Sequence, residues 1–344
     1  MPRRRIICCL LFLAALTGSG TSSAYPTGPL DVQRLLNSAD LAVVGRVTEV
    51  RELASTSLQY GGNRYAGQSL VANIQVDETI KGEELGSLEI RFENAQVPGV
   101  GIYGPQLSPD QYSLFFLTKK GSGWILPSTA YSVLPAGTQS CPASAGQPSS
   151  PQDRVLLHLT QVLCSPNSSY TISVIELLRD YQSPFIIATL KSVAMTEDAS
   201  DVDTQIAAIA NLISRKETSV FPKAEWAILQ DTRPAPYFPR SNLLGALAFD
   251  GSPEALAILE KALKMKDAGM RTSVAQALGL GRNQQATDLL ISALRDPQHA
   301  VQVAAIDSLG NITKQYDWQV IADKHTFSEC LQHWREFAIA RKTH

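Results

Sequence analysis

Residues 273–281 read SVAQALGLG. Thirty-one residues later the chain reads AAIDSLGNI (304–312), and thirty-one earlier NLLGALAFD (242–250). A phrase written three times at one interval constrains the fold more than any other feature. At the same interval SPEALAILEKAL (252–263) falls on NQQATDLLISAL (283–294). Ala255, Ile258, Leu259, Ala262 and Leu263 thereby match Ala286, Leu289, Leu290, Ala293 and Leu294. Apolar residues three and four apart mark one face of a helix. A second helix matches too: Met270, Val274, Ala277 and Leu278 correspond to Val301, Ala305, Ser308 and Leu309. Arg240, Arg271 and Gln302 align at its start, and Gly279 and Gly310 read as its left-handed C-caps. Each unit is thus a helix hairpin that covers one of its faces and needs a neighbour for the other. Repetition at fixed length stacks such hairpins into a continuous core.

The wording RDPQHAVQVAAIDSLG (295–310) resembles HEAT repeats of the short type, related to the phycobilisome lyases. The resemblance implies an all-α solenoid over 240–312. The amphipathic segments at 154–163, 171–181, 183–194, 201–216 and 223–231 extend it towards residue 153.

Residues 40–135 follow a different period. In LVANIQVDETI (70–80), Leu70, Ala72, Ile74, Val76 and Ile80 alternate with mostly polar residues, and SLEIRFEN (87–94) repeats the pattern. Period two marks a strand with one buried face. DLAVVGRVTEV (40–50), QYSLFFLTKK (111–120) and GWILPSTAYSVL (123–134) supply three more, with turn signals at KGEELG and KKGSG. Five short strands with little helix between them predict a small all-β barrel or sandwich. PLDVQRLLNSAD (29–40) reads as a short helix covering one end. The stretches NSADLAVVGRVTEV, VDETIKG and DQYSLFFLTKKGSGW resemble the netrin-like modules related to the tissue inhibitors of metalloproteinases, which implies an OB-like barrel. That inhibitor family binds the protease zinc through an N-terminal cysteine, which is not found at Tyr25-Pro26, so this activity does not carry over. Residues 136–152, rich in Pro, Ser, Gly and Ala, read as a linker. The expected organisation is a leader (1–24), an OB-like barrel domain (25–135), this linker, and a HEAT-like domain (153–344).

Arg3, Arg4 and Arg5, then the apolar run Ile6 to Leu16, then Ser22-Ser23-Ala24 read as a secretory signal with expected cleavage near Ala24. Eleven apolar residues are too few to span a bilayer core of about 30 Å. The expected location is extracytoplasmic, periplasmic or secreted, with no integral membrane span. Loss of the signal leaves 27 basic residues against 32 acidic ones. Without a basic excess, a nucleic-acid partner has no electrostatic footprint. An oxidising compartment permits a disulfide among Cys141, Cys164 and Cys330, and the short separation favours Cys141–Cys164. Cys330, in FSECLQHW, reads as a buried inert thiol.

No sequence feature carries catalysis. GVGIYG (99–104) has the letters of a dinucleotide fingerprint but stands between Pro98 and Pro105, and reads as a loop. Glu197, Asp198, Asp201 and Asp203 precede a helix, where acids complement its dipole, and Ile206 occupies the place of a calcium-loop glycine. The five histidines form no metal motif. The expectation is therefore a non-catalytic scaffold, with no metal and no cofactor, whose partner is another protein. Candidate contact residues are Val100, Ile102 and Tyr103 on the loop, unless they tuck back onto the barrel. On the second helices they are Arg271, Thr272, Gln276, Gln302 and Asp307, which fall opposite the apolar stripe. The competing reading is an enzyme or inhibitor with a site at the barrel–solenoid junction.

Overall fold

Alternating residues from Leu41 onward build two long strands, β1 (Leu41–Tyr60) and β2 (Asn63–Lys81). They are joined through Gly61 and Gly62, both at positive φ. Such a two-residue turn matches the twist of a hairpin and needs residues free to take that conformation. The computed structural model describes residues 30–127, 131–138, 148, 150–165, 170–196, 202–230 and 238–342. The leader, Cys141, most of the linker, and Glu197, Asp198 and Asp201 lie outside the described residues.

The strands continue as β3 (Ser87–Val97), β4 (Gly101–Tyr103), β5 (Tyr112–Lys120), β6 (Gly123–Ile125) and β7 (Val133–Pro135). β1 pairs with β2 on one edge and, through 41–46, with β5 on the other. Antiparallel β2–β3 and β5–β6 and parallel β3–β6 return the pairing to its start. The β3–β6 contact is only Ile90↔Trp124 and Arg91↔Ile125, and β4 and β7 lie off this path. The expected regular five-stranded barrel is thus a seven-stranded sheet with a narrow closing seam. The predicted strand over 123–134 is split, giving β6 and β7. β1 and β2 also run past the sheet as a ribbon of mostly exposed residues, in which no fully buried face marks the chain as strand.

LAVV in β1 and LFFL in β5 are unbroken apolar runs, as expected of strands buried on both faces. Leu41, Val43, Phe115 and Leu117 join Ile74, Ile90 and Phe92 in a core inside the sheet. Ala42, Val44, Leu114 and Phe116 face outward into the core of the helical part.

That part begins with α1 (Val32–Ser38), which lies against β5, and continues as α2 (Pro151–Val162), α3 (Thr171–Leu177), α4 (Pro184–Met195), α5 (Val202–Ser214) and α6 (Phe221–Leu229). The repeating segment comprises α7 (Phe238–Asp250), α8 (Pro253–Ala262), α9 (Ala268–Gly281), α10 (Thr287–Ala293) and α11 (His299–Thr313), closed by α12 (Phe327–Lys342). Ser150 and Ser252 cap α2 and α8, each followed by Pro at the first helical position, and Asp267 caps α9. α5, α7, α9 and α11 pack in sequence as one layer, while α6, α8 and α10 cover them. Cys330, a free thiol, and Trp334 of α12 are fully buried at the end of the row. Cys164 is in a disulfide, and its expected pairing with Cys141 lies outside the described residues.

Gly279 and Gly310 are not C-caps. α9 and α11 run on to Arg282 and Lys314, which take the left-handed conformation instead. The glycines mark close approach: a Cβ on Gly279 would lie 2.3 Å from Ser308 Oγ and 2.8 Å from its Cα. Ser308 in turn donates a 2.8 Å hydrogen bond to the Ala275 carbonyl. α9 and α11 are therefore locked together at backbone distance.

The sheet and the helices share one apolar core, with Leu114, Phe116 and Leu134 in the same cluster as Leu156, Leu159 and Ile175. Arg154 of α2 donates to Glu78 Oε1 at 2.5 Å and to the Thr79 carbonyl at 2.7 Å, and His158 Nε2 lies 2.7 Å from Glu78 Oε2. Tyr181 Oη donates to the Leu30 carbonyl at 2.8 Å and accepts from Val32 N–H at 2.9 Å.

Two glycine substitutions separate these causes. Gly279→Ala destabilises the fold by about 1–3 kcal/mol, because Ser308 must move. Gly245→Ala, in α7 with open space around it, stabilises by up to about 1 kcal/mol through helix propensity. Urea unfolding of both variants measures the contrast.

Candidate functional site

The second helices expose a groove of about 640 Å³, lined by Thr272, Gln276 and Leu280 of α9 and by His299, Ala300, Val303, Ala304, Asp307, Ser308 and Asn311 of α11. Its walls follow from the repeat. Small residues at 300 and 304 leave room between the helices, and longer side chains at 276 and 280 rise beside them. Three of the five residues singled out on these helices line it: Thr272, Gln276 and Asp307.

Arg271 does not. It was expected to be exposed, but it is buried, with side-chain exposure of 10% against 9% for its partner Asp296. Arg271 Nε donates to Asp296 Oδ2 at 2.6 Å and Nη2 donates to Oδ1 at 2.9 Å. Nη1 donates to the carbonyls of Met265 and Lys266. At the first turn of α9 the side chain reaches back over the preceding loop and across to the loop before α11. Gln302 also turns to this junction, donating to the Asp296 carbonyl at 2.8 Å, and is half-buried. Both residues tie one hairpin to the next. The hydrogen bonds from Arg271 hold the Asp296 carboxyl below its usual range.

Asp307 serves two purposes. Its Oδ1 accepts the N–H groups of Val320 at 2.7 Å and Ile321 at 3.3 Å, which fixes the turn after α11. Burial pushes its carboxyl up, although those N–H groups oppose the shift. Thr272 Oγ1 donates to the Ala268 carbonyl at 2.8 Å and so stays against its own helix.

Two strongly exposed apolar residues of the second helices are not among the sequence-based candidates. Phe249 and Leu280 are 67% and 60% exposed, and they stand thirty-one residues apart, with Asn311 one interval further on. Their spacing was the available signal. The first-helix side differs in charge: it carries the pairs Lys261–Glu225 and Lys264–Glu260, each at 2.6 Å. Among the described residues lining the groove, Asp307 and His299 are the only acidic or basic ones.

At the other end of the chain, residues 98–104 are not a free loop. β4 pairs with β3 as a hairpin, with Val97↔Gly101 and Ala95↔Tyr103 in register. Val100 and Ile102 are exposed. Tyr103 packs on Tyr60 of the β1–β2 ribbon, with ring centroids 4.8 Å apart. None of the three lines the groove.

This groove, between α9 and α11, does not lie at the junction between sheet and helices. There, burial alone would raise the Glu78 carboxyl, but hydrogen bonds from His158 and Arg154 hold it below its usual range. That suits a structural ion pair and runs opposite to the raised value of a general acid. No group of three or more His, Cys, Asp or Glu among the described residues could hold a metal ion. No described helix is long and apolar enough to cross a membrane.

The molecule is thus a sheet-rich N-terminal part followed by a row of helix hairpins. A family model for HEAT repeats matches residues 227–310, from the end of α6 into α11 and roughly a quarter of the chain. HEAT repeats are in general protein-interaction scaffolds. Comparison with curated proteins yields no match.

Replacing Arg271 with Met strands a buried carboxylate, and the expected loss is on the order of 3 kcal/mol at neutral pH. Because the Asp296 carboxyl is lowered from 3.8, its contribution is present above that value and is lost as pH falls through the folded-state value. Urea unfolding between pH 6 and pH 3 should therefore show a shallower acid limb in Arg271→Met than in the parent chain.

Proposed function

We propose that the chain is an exported, non-catalytic scaffold that binds another protein through the face of its second helices. One observation carries this reading: Leu280 lines a groove in which Asp307 and His299 are the acidic and basic residues described, and Phe249 stands exposed at the equivalent position one interval earlier. Interface cores are depleted in charged residues, and an exposed apolar row on a repeat array is a docking feature. The tripartite leader supports export. The ring order of β1, β2, β3, β6 and β5 supports reading the sheet as an OB-type, netrin-like module, with Val100 and Ile102 as an accessory contact. The shared apolar core and the Arg154–Glu78 ion pair at the junction favour this reading over an enzyme or inhibitor acting there.

A photo-reactive residue placed at Gln276 should crosslink one partner in the native compartment, and one placed at Glu260 on the opposite side should not. Leu280→Glu should weaken that partner's affinity about tenfold or more, equivalent to 1.4 kcal/mol, without lowering the melting temperature. Equal capture from both faces, or turnover of a small molecule by the purified chain without any partner, would contradict the reading.

A further inference from the structure

We propose that the cleft between α10 and α12 is a second binding site, one that takes an acidic peptide segment. The cleft has a volume of about 360 Å³ and is lined by Asp288, Ile291, Ser292, Arg295, Ala338 and Arg341. It shares no residue with the second-helix groove, so it stands independently of the function proposed above. Two guanidinium groups face it against one carboxylate. Arg295 follows the end of α10, where its backbone N–H donates to the Ser292 carbonyl at 3.2 Å. Its side chain makes no ion pair among the described residues. Arg341, near the end of α12, holds Asp288 only at 3.3 Å, and Asp288 is 75% exposed. Surface pairs of that kind contribute little and exchange readily.

The chemistry of the lining selects the ligand. A guanidinium presents a planar fork of donors that matches a carboxylate, bidentate where geometry allows. Ile291 and Ala338 supply an apolar wall beside it. The volume sits at the lower bound for a small-molecule pocket, but it suits one acidic side chain and its apolar neighbour on a peptide. In this arrangement the incoming carboxylate replaces Asp288 on Arg341 and neutralises Arg295. The positive excess of the cleft supplies the complementarity that the charge-poor groove lacks.

The test uses the full chain and a fluorescein-labelled Glu-Leu-Glu-Leu-Glu peptide, with Gln-Leu-Gln-Leu-Gln as its neutral counterpart, followed by fluorescence anisotropy at low salt. The acidic peptide should bind at least tenfold more tightly than the neutral one. Arg295→Ala and Arg341→Ala should each weaken it about tenfold. Asp288→Asn should tighten it several-fold, because the internal competitor for Arg341 is gone. These side chains are exposed, and an unchanged melting temperature confirms that each variant is folded. Equal binding of the two peptides, or binding insensitive to Arg295, would overturn the proposal. So would displacement of the peptide by inorganic phosphate at equal concentration with the same dependence on both arginines, which would make the cleft a general anion site.

Discussion

Close contact between neighbouring second helices is the constraint on which the rest depends. Gly279 of α9 leaves no space between its backbone and Ser308 of α11, and the Ser308 hydroxyl uses that proximity to reach a carbonyl one helix away. With helices this close, the hairpin loops can also touch, so Arg271 meets Asp296 and Gln302 meets the same loop. Each hairpin thereby gains apolar cover and polar ties from the next, and neither is available to a hairpin alone. The exposed groove follows as well, since its walls are the parts of α9 and α11 that the contact leaves uncovered.

The row does not stand apart from the sheet. β1 and β5 are buried on both faces, one inside the sheet and one against α1 and the first helices of the row. Glu78, held between Arg154 and His158, closes the polar edge of that contact. The first helices accordingly have a fixed wall to pack on, and α12 supplies the opposite end by burying Cys330 and Trp334. A repeat array needs such ends, because its terminal units would otherwise expose an apolar face.

The helical row was legible because Ala and Leu recur at the same offsets in both helices of each unit, a signal that survives without any contact information. The strands at 70–80 and 87–94 were legible through period two. What escaped the sequence has identifiable causes. The β1–β2 ribbon beyond residue 51 has no fully buried residue on β1, so no apolar alternation is imposed on RELASTSLQY. Arg271 looked like a surface residue because it lies off the apolar stripe, while its partner is twenty-five residues away in a loop. The recurrence of Arg at 240 and 271 hinted at a structural task. Gly279 and Gly310 read as caps in sequence because glycine favours both helix ends and close crossings, and only packing separates the two. Thr272, Gln276 and Asp307 line the groove because their positions opposite the apolar stripe leave them on its face. Phe249 and Leu280 escape a pattern reading because apolar residues on an amphipathic helix are expected to face inward.

The most direct measurement is amide hydrogen exchange along the row after Trp334→Ala loosens its terminal cap. If the hairpins depend on their neighbours in series, protection should fall most in α11, less in α9 and least in α5. A uniform fall across all helices would instead mean a single cooperative centre, and the view of this chain as a row of stacked hairpins presenting a face would be wrong.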